Sequence, residues 1–431
     1  MVLTLKSTEP NFTKRLQSAL DHKFETCDNV RDIAGSIIND VRQNGDNALY
    51  DYTKRFDKVD IQASELSVDS TDIESAWNCC PADIKDALTL SARRIEDYHT
   101  RQVPKNVIYT DETGTELGWQ WTAIDSVGLY TPGGLAAYPS TVLMNAIPAR
   151  IAGVKRIVMV APPKPDDKNI NTTMLAAAHV AGIKEIYKVG GAQAIAALAY
   201  GTDTIPPVKM IVGPGNAYVT EAKRQVFGKV GIDMIAGPSE ILILADSNNN
   251  PDWIAADLLS QAEHDTAARS VLITDSASFA EQVINAVKKI LSTLPRRDIA
   301  EKSWEDNGIV AIVQNMDEAI DAVNQVATEH LELAVDDAHS LLPKIRNAGA
   351  IFIGRHTPEA VGDYTAGPSH VLPTAGSAAF SSGLGVFTFL KRSSLIACTP
   401  ESLAAIADPT ATLAKSEGLT AHELSVTIRQ K

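Results

Sequence analysis

The sequence predicts an α/β fold with two alternating blocks, followed by a small helical tail. In the first block, residues 128–240, short apolar runs such as RIVMVAPP and EIYKVGG alternate with alanine-rich helical segments such as TTMLAAAHVAG. The second block repeats this alternation from ILILAD at residue 241 to GAIFIG at residue 354. Such alternation is typical of βαβ units, in which helices join parallel strands. The sequence therefore predicts two Rossmann-like α/β domains.

Helical sequence flanks these two blocks. Residues 24–100 carry apolar positions three and four apart with capping residues between them, as in SIINDVRQNGDNALYDYTKRFD, which predicts helices. The tail from about residue 383 contains TPESLAAIADPTATLAKSEGLTAHELSVTIRQK, which predicts helices broken at DP and EG, without strands. This tail is too small to hold a core of its own, so we expect it to dock on a folded body.

Composition narrows the class of ligand and the location. The 431 residues are 45% hydrophobic, and 53 acidic against 39 basic residues give a net charge of -14, which argues against nucleic acid and anionic membranes as partners. No signal peptide or membrane span is predicted, so we expect a cytoplasmic protein that binds small molecules. The cysteines have neither metal-type nor disulfide-type spacing, and we expect Cys27, Cys79, Cys80 and Cys398 to be reduced.

The stretch LLSQAEHD ends an otherwise apolar helix with polar residues. Asn250 and Pro251 are a good N-cap and first helical residue, so the helix starts there. Gln261 and His264 are three apart and therefore lie on one face, close enough to share a metal ion. On spacing alone, a polar last turn that faces solvent is the more common explanation.

Three other histidines stand in unusual sequence. His330, in VATEHLELAV, follows Glu329 at a predicted helix-to-strand junction, so an acid and a base are adjacent there. His370 lies in GDYTAGPSHVLPTAGSAAFSSGLG together with Asp363, in a stretch too irregular for a core and typical of functional loops. His422 lies in SEGLTAHE. For the remaining histidines we expect surface or packing roles: His22, His99, His179, His339 and His356.

Three glycine-rich turns follow predicted strands: YTPGGLAAYPST, VGGAQAI and VGPGNAYV. Backbone N–H groups at such turns can bind phosphate at a helix N-terminus, although tight structural turns explain the spacing equally well. The dinucleotide fingerprint is non-standard, because Tyr218 stands where the third glycine belongs.

Taken together, these blocks resemble the histidinol dehydrogenases over nearly the whole chain. The resemblance rests on LYTPGGLAAYPSTVLMNAIPARIAGV, VGGAQAIAALAYGT, VGPGNAYVTEAKRQV, IDMIAGPSEILILAD, DLLSQAEHD, ATEHLEL, GDYTAGPSHVLPTAGSAAFSSGLG and SEGLTAHE. Members of that family use zinc and NAD to oxidise L-histidinol to L-histidine through L-histidinal, the last two steps of histidine biosynthesis. The resemblance thus implies a zinc- and NAD-dependent enzyme.

The resemblance also implies roles for individual residues. The implied zinc ligands are Gln261, His264, Asp363 and His422. The implied nicotinamide nucleotide contacts are Tyr130, Gln193 and Asn216. The implied substrate contacts are Ser140, Ser239, His370 and Glu417, together with His330 and the zinc ligands.

Glu329 and His330 fit the acid–base chemistry of this reaction. Oxidation of an alcohol needs a base for the hydroxyl proton, and a histidine is well matched to neutral pH, so we expect His330 to be that base. Oxidation of the aldehyde first needs water added to the carbonyl, which Glu329 can activate. Neighbouring residues point in different directions on regular elements, so both reach one pocket only if the junction is irregular.

The expected domains are discontinuous. We expect an N-terminal segment, 1–23, packing with the tail, and a first α/β domain formed by 24–128 and 241–382, which carries the metal and acid–base residues. The second α/β domain, 129–240, is expected to bind NAD. The helical tail, 383–431, is expected to cross between the subunits of an intertwined homodimer, as the resemblance implies, so that each active site is composite.

Two alternatives remain open on the sequence. One is a related zinc- and NAD-dependent alcohol dehydrogenase, similar to the sulfopropanediol dehydrogenases, although Glu417 and His370 favour histidinol. The other is a non-catalytic metal- or nucleotide-binding protein, which the intact Glu329 and His330 pair argues against.

Overall fold

The computed structural model describes residues 2–21, 28–133 and 138–430. His22, Cys27 and part of the first glycine-rich turn, residues 134–137, lie outside this range. Numbered in chain order, the strands are β1 (Leu3–Lys6), β2 (Val107–Thr110), β3 (Glu116–Ala123), β4 (Ser126–Tyr130), β5 (Arg156–Ala161), β6 (Glu185–Lys188), β7 (Met210–Val212), β8 (Gly231–Ile232), β9 (Glu240–Ala245), β10 (Arg269–Thr274), β11 (Ile309–Ile312), β12 (His330–Ala334), β13 (Ala350–Ile353) and β14 (Leu390–Ala397).

The helices connect and cover these strands. They are α1 (Phe12–Leu20), α2 (Asp28–Asn44), α3 (Asp46–Tyr52), α4 (Ser70–Cys79), α5 (Ala82–Thr100), α6 (Pro139–Ala152), α7 (Thr172–Ala181), α8 (Gly191–Tyr200), α9 (Ala217–Val226), α10 (Pro251–Ala262), α11 (Ala277–Leu291), α12 (Arg297–Asn307), α13 (Met316–Val326), α14 (Ala338–Leu341), α15 (Glu359–Tyr364), α16 (Pro400–Ser416) and α17 (Thr420–Thr427). Among the helices described, none combines the length and the hydropathy that a bilayer crossing requires.

Two parallel sheets form the body of the protein. The six-stranded sheet has the order β1-β11-β10-β9-β12-β13, and the five-stranded sheet has the order β6-β5-β4-β7-β8. In each sheet, five strands follow the chain in the order third, second, first, fourth, fifth, and every pair is parallel. This is the strand order of doubly wound nucleotide-binding folds. The prediction of two Rossmann-like α/β units is therefore confirmed.

Burial on both faces explains why the strands are continuous apolar runs. All six residues of β9 are buried. Ile241 and Ile243 pack with α10 and α11 on one face, whereas Leu242 and Leu244 pack with α13 on the other. Since alternate side chains point to opposite faces, a strand between two helical layers needs apolar residues at every position.

The N-terminal third of the chain differs from the predicted domain grouping. Helices α2, α4 and α5 pack on the helices of the five-stranded sheet, so residues 28–100 join residues 126–232 rather than 241–382. Residues 1–23 were expected to pack with the tail. In the single chain, strand β1 of this segment instead pairs with β11 at the edge of the six-stranded sheet. An amphipathic pattern identifies the apolar face of a helix but not the sheet that covers it.

The prediction that the tail lacks strands is wrong. Strand β14 pairs with β3 along its whole length, from Leu390 opposite Ala123 to Ala397 opposite Glu116, in an antiparallel sheet of order β14-β3-β2. The segment LKRSSLIA is mostly exposed and has no apolar run, which is why its sequence did not indicate a strand.

The tail helices α16 and α17 pack mainly against each other. Helix α17 has no buried residue in the described structure. Several large apolar side chains in this hairpin are exposed: Leu413, Leu419, Leu424 and Ile428. The helical character of the tail is confirmed, and its apolar surface remains largely uncovered in the single chain.

Candidate active site

The predicted acid–base and metal residues of the body lie at the amino ends of the strands of the six-stranded sheet. Strand β12 begins at His330 and β9 begins at Glu240. Helix α10 leads from the carboxyl end of β9 back to the start of β10, so its C-terminus, with Gln261, also lies at the amino edge. One edge of the sheet therefore collects residues that are far apart in sequence.

Helix α10 positions Gln261 and His264. The helix starts as expected, because the Asn250 side chain accepts a hydrogen bond of 2.9 Å from the Asp252 N–H. At the other end, the Gln261 amide nitrogen lies 3.5 Å from His264 Nδ1. Gln261 is fully buried, and its Oε1 has no hydrogen-bond partner among the residues described, whereas His264 is exposed.

Glu329 and His330 are held by the backbone of one residue on the neighbouring strand. The Glu240 N–H donates to Glu329 Oε2 at 2.9 Å, and His330 Nδ1 donates to the Glu240 carbonyl at 3.0 Å. The Glu329 carboxylate lies 3.7 Å from His330 Nδ1. Ala327, with φ of 49°, ends α13 in the left-handed region, so the junction is irregular and both side chains turn into one buried place.

The backbone contact fixes the tautomer of His330. Because a carbonyl accepts only, Nδ1 carries the hydrogen and Nε2 carries a free lone pair. His330 Nε2 is buried without a hydrogen-bond partner in the described part of the chain, 3.8 Å from Glu359 Oε1 and 4.0 Å from Asp363 Oδ1. Burial lowers the pKa of His330 to about 4, so the ring is neutral at pH 7. Burial also raises the pKa of Glu329 well above its usual range.

Helix α15 adds two carboxylates, one of which the sequence analysis missed. Glu359 and Asp363 are four apart and face the same way, and with His330 they offer ligand atoms within 4.8 Å of one another. The second Glu359 oxygen accepts a hydrogen bond of 3.2 Å from the Ser260 hydroxyl on α10. Burial raises the pKa of Glu359 to about 8. The E-x-x-x-D spacing was the available signal for Glu359.

The loop after α15 joins this cluster to helix α6. His370 Nδ1 donates to the Asp363 carbonyl at 3.1 Å, and the Thr141 hydroxyl lies 3.2 Å from His370 Nε2. Ser140, the neighbour of Thr141, is buried. Ser239 is half-buried and directly precedes β9. The implied substrate residues of the body thus come from both sides of this loop.

His422 and Glu417 lie apart from this cluster. Both are exposed in the tail, and His422 does not belong to the metal-type group that the described residues form. Of the other implied zinc ligands, Gln261 and Asp363 belong to α10 and α15, which the bond between Ser260 and Glu359 holds together, and His264 follows α10 by two residues. The structure of one chain does not bring the fourth to them.

The cluster has the chemistry of a metal site. Among the implied ligands, Gln261 Oε1 is a buried acceptor with no hydrogen-bond partner in the described residues. Buried unsatisfied acceptors are costly, and a bound cation satisfies several at once. A set of nitrogen and oxygen ligands without thiolates suits a borderline ion such as zinc. The residues present therefore fit the implied metal.

The predicted nucleotide residues lie at the carboxyl ends of the strands of the five-stranded sheet. Tyr130 ends β4, and its hydroxyl accepts a hydrogen bond of 3.2 Å from the Gly191 N–H at the start of α8. Burial raises the pKa of Tyr130 to about 12. Gln193, in the first turn of α8, is fully buried, and both of its polar atoms are without a partner in the described structure.

Asn216 caps the next helix of that sheet. Its side chain accepts hydrogen bonds of 3.1 Å from the N–H groups of Tyr218 and Val219 at the start of α9. Strands β5 and β7 lie on opposite sides of β4, so this edge is the switch point of the sheet, where doubly wound folds bind ligands. The starts of α8 and α9 are also the positive ends of helix dipoles, which favour a bound phosphate.

Comparison with known proteins identifies the family and agrees with the fold. The family model for histidinol dehydrogenase matches residues 21–430. The histidinol dehydrogenases of Brucella suis biovar 1 and Rhodospirillum rubrum are each 55% identical to this chain, over 429 and 430 residues, covering 100% of this chain and 99% of each relative. The crystal structure of histidinol dehydrogenase from Elizabethkingia anophelis superposes with a TM-score of 0.94 at 34% identity, covering 99% of this chain and 98% of that one.

The matches to these two relatives span the whole chain, and 55% identity over that length is enough to show the family. The same chain buries His330 beside the carboxyl groups of Glu359 and Asp363. The protein belongs to the histidinol dehydrogenase family and is an oxidoreductase.

Proposed function

We propose that the protein oxidises L-histidinol to L-histidine through L-histidinal, using one zinc ion per subunit and two NAD+ per turnover, in the last two steps of histidine biosynthesis. Family membership supports the substrate. The observation that carries the mechanism is the environment of His330: the Glu240 carbonyl fixes its Nδ1, and its Nε2 has no hydrogen-bond partner among the described residues. The cytoplasmic location stays a prediction.

Four side chains would hold the zinc ion: Gln261, His264, Asp363 and His422. When bound, zinc supplies a charge that orients the substrate nitrogens and hydroxyl, and NAD+ supplies the acceptor for the hydride. The unpartnered Gln261 Oε1 supports this assignment, since a buried amide oxygen without a donor is otherwise unexplained. Tyr130, Gln193 and Asn216 would bind the nucleotide at the other sheet.

His330 takes the proton in each oxidation. Its Nε2 accepts the hydroxyl proton of the alcohol while the hydride leaves the carbinol carbon, which yields the aldehyde. In the second oxidation it accepts a proton from the hydrated aldehyde as the second hydride leaves, which yields the acid. A neutral ring is required for both, and burial keeps His330 neutral by lowering its pKa to about 4.

Glu329 activates water between the two oxidations. Its carboxylate lies 3.7 Å from the His330 ring and is held by the Glu240 N–H. The raised pKa of Glu329 makes its ionised form a stronger base, and this form accepts a proton from water as the oxygen adds to the aldehyde carbon. The aldehyde oxygen takes the proton that His330 gained in the first oxidation, which gives the hydrated form and returns the ring to its neutral state. Ser140, Ser239, His370 and Glu417 would orient the substrate.

We also propose that the active site is completed by the tail of a second subunit. His422 and Glu417 are exposed, and the hairpin that carries them leaves apolar side chains uncovered. A two-fold dimer in which the tails cross would cover that surface and bring His422 to Gln261, His264 and Asp363. The partners are thus L-histidinol and a second copy of this chain.

Subunit mixing tests the crossed tail. The inactive variants His264→Asn and His422→Asn are unfolded together in equal amounts and refolded with zinc. If the tails cross, half of the dimers are mixed and one of their two sites is intact, so about a quarter of wild-type activity returns. If each subunit uses its own His422, every site keeps a defect and activity stays near zero, even with mixed dimers confirmed by mass.

The test of the function compares substrates and metal states. We expect NADH formation from histidinol, loss of activity after chelation and recovery with zinc. Faster turnover of sulfonated diols would favour the related alcohol dehydrogenases instead. Absence of NAD+ reduction by zinc-loaded protein with either substrate would favour a non-catalytic protein, and full activity without metal would refute the zinc assignment.

A further inference from the structure

A buried ion pair lies beside the proposed nucleotide site. Lys223 of α9 pairs with Asp233, which directly follows β8, and their side chains are only 4% and 1% exposed. A buried ion pair contributes little net stability, because the loss of hydration offsets the attraction. Its role therefore depends on what else the two side chains bind.

Both members of the pair bind the same glycine. Lys223 Nζ donates to the Gly213 carbonyl at 2.8 Å, and the Gly213 N–H donates to Asp233 Oδ2 at 2.7 Å. The other Asp233 oxygen accepts a hydrogen bond of 2.7 Å from the Met234 N–H. The pair thus satisfies both backbone polar groups of Gly213 with charged partners, which make stronger hydrogen bonds than neutral ones.

Gly213 needs such support because the sheet stops before it. The register between β4 and β7 ends with Leu129 opposite Val212. At Gly213 the backbone has φ of 110°, and a Cβ there would lie 2.1 Å from the Tyr130 carbonyl oxygen. Only glycine allows this approach. The turn after β7 is therefore pressed against the end of β4 and held there by Lys223 and Asp233 rather than by a strand ladder.

The same turn leads to Asn216 at the start of α9. Lys223 lies seven positions after Asn216, two turns along that helix, so the pair joins the turn, the helix and the end of β8. We propose that Lys223 and Asp233 are positioning residues that set the distance between Asn216 and Tyr130 for the nucleotide. This inference rests on the proposed use of NAD+ at that site.

The alternative is a direct charge effect on the phosphates of the nucleotide. In that case Lys223→Met would weaken nucleotide binding and Asp233→Asn would tighten it, since the two changes remove opposite charges. Positioning predicts the same direction for both. We expect each variant to weaken NAD+ binding by about tenfold or more, because a displacement of about 1 Å is costly at such a site.

The double variant Lys223→Met/Asp233→Asn separates positioning from folding. It leaves no unpaired buried charge, so we expect its melting temperature to exceed those of the single variants. Its NAD+ affinity should stay as low as theirs, because Gly213 has still lost both charged partners. If a single variant does not fold, the double variant still distinguishes positioning from a direct charge effect.

The six-stranded sheet provides a matched control. Arg355 follows β13, the strand equivalent to β8, and pairs with Asp246, which follows β9, the equivalent of β4. The double variant Arg355→Met/Asp246→Asn therefore removes an ion pair from the carboxyl edge of the other sheet. We expect lower stability in this variant and unchanged affinity for NAD+.

The measurement is calorimetric titration of the purified full-length protein with NAD+ and with NADH, together with melting curves and steady-state kinetics. Positioning predicts a higher dissociation constant and a higher KM for NAD+, with kcat at saturating NAD+ within about twofold of wild type. Unchanged dissociation constants, or shifts of opposite sign, would overturn the inference. If the wild-type protein binds neither nucleotide, the proposed use of NAD+ fails instead.

Discussion

The two parallel sheets have the same strand order but present their candidate sites at opposite edges. In the five-stranded sheet, Tyr130 and Asn216 lie at the carboxyl ends of the strands, where doubly wound folds bind ligands. In the six-stranded sheet, Glu329 and His330 lie at the amino ends. Strand order alone therefore does not determine which edge of a sheet is used.

The difference lies in what fills the carboxyl edge. In the six-stranded sheet, Arg355 binds both oxygens of Asp246 at 2.6 and 2.7 Å and Asp336 at 2.7 Å. The Asn249 amide adds a hydrogen bond of 2.6 Å to the Ala334 carbonyl at the end of β12. These side chains occupy the switch point. In the five-stranded sheet, both polar atoms of Gln193 are without a partner among the described residues, whereas Asn249 and Arg355 each leave one such atom and use their others in the bonds above.

The largest expected effect comes from the amino edge. His330→Asn removes the proposed base, so we expect both oxidations to slow by about 10²–10⁴-fold. Affinity for NAD+ should not change, because the nucleotide residues lie on the other sheet. Single-turnover kinetics with histidinol and with histidinal, alongside nucleotide titration, check this. Turnover at the wild-type rate would exclude His330 as the base. A loss of NAD+ binding would show that the amino edge of the six-stranded sheet also contributes to the nucleotide site.

Glu329→Gln should divide the two half-reactions. If Glu329 activates water, aldehyde oxidation should slow by about 10²-fold while alcohol oxidation changes less, since only the second step consumes water. The rate of NADH formation from histidinal supplied directly measures this. An equal loss in both steps would make Glu329 an orienting partner of His330.

At the carboxyl edge of the five-stranded sheet, Gln193→Met should weaken NAD+ binding and increase the stability of the protein. Met replaces an amide whose polar atoms are buried without partners in the described structure, so we expect the free energy of unfolding to rise by about 1 kcal/mol. Loss of a hydrogen bond to NAD+ should weaken its affinity about tenfold. Denaturant melts and nucleotide titration give the two values. A fall in stability without a change in affinity would contradict a binding role.

At the carboxyl edge of the six-stranded sheet, Arg355→Met should act on stability alone. It removes the hydrogen bonds to Asp246 and Asp336. Hydrogen bonds to charged groups contribute about 1.5–3 kcal/mol, so we expect the free energy of unfolding to fall by about 2 kcal/mol. Denaturant unfolding measures the loss. A changed KM for NAD+ or histidinol would show that this edge is also functional.

The last expected effect concerns Glu332, behind the amino-edge site, and it depends on pH. Burial raises the pKa of Glu332 to about 9 and that of the adjacent Asp257 to about 6. The stability that comes from the protonated Glu332 is complete below its unfolded value of about 4.5 and is lost as pH rises through about 9. Glu332→Gln cannot ionise, so its melting temperature should exceed that of wild type increasingly from pH 5 to pH 9. A constant difference in melting temperature between the two proteins from pH 5 to pH 9 would refute this.

Local sequence patterns were enough to predict the elements whose structure depends only on neighbouring residues. The apolar runs of β9 and β10 predicted buried parallel strands, since a strand between two helical layers needs apolar residues on both faces. Asn250 and Pro251 predicted the start of α10, because capping involves only neighbouring residues. The spacing of Gln261 and His264 placed them on one face for the same reason.

Only the tertiary structure decided which distant groups meet. No local pattern linked Glu240 to Glu329 and His330, because the contact is a register between β9 and β12. Glu359 was overlooked because its role depends on the docking of α15 against α10, and β14 because its pairing with β3 stabilises a strand whose side chains are mostly exposed. The sequence determined elements and chemistry, whereas long-range packing decided sheet membership, site edge and the partners of each buried charge.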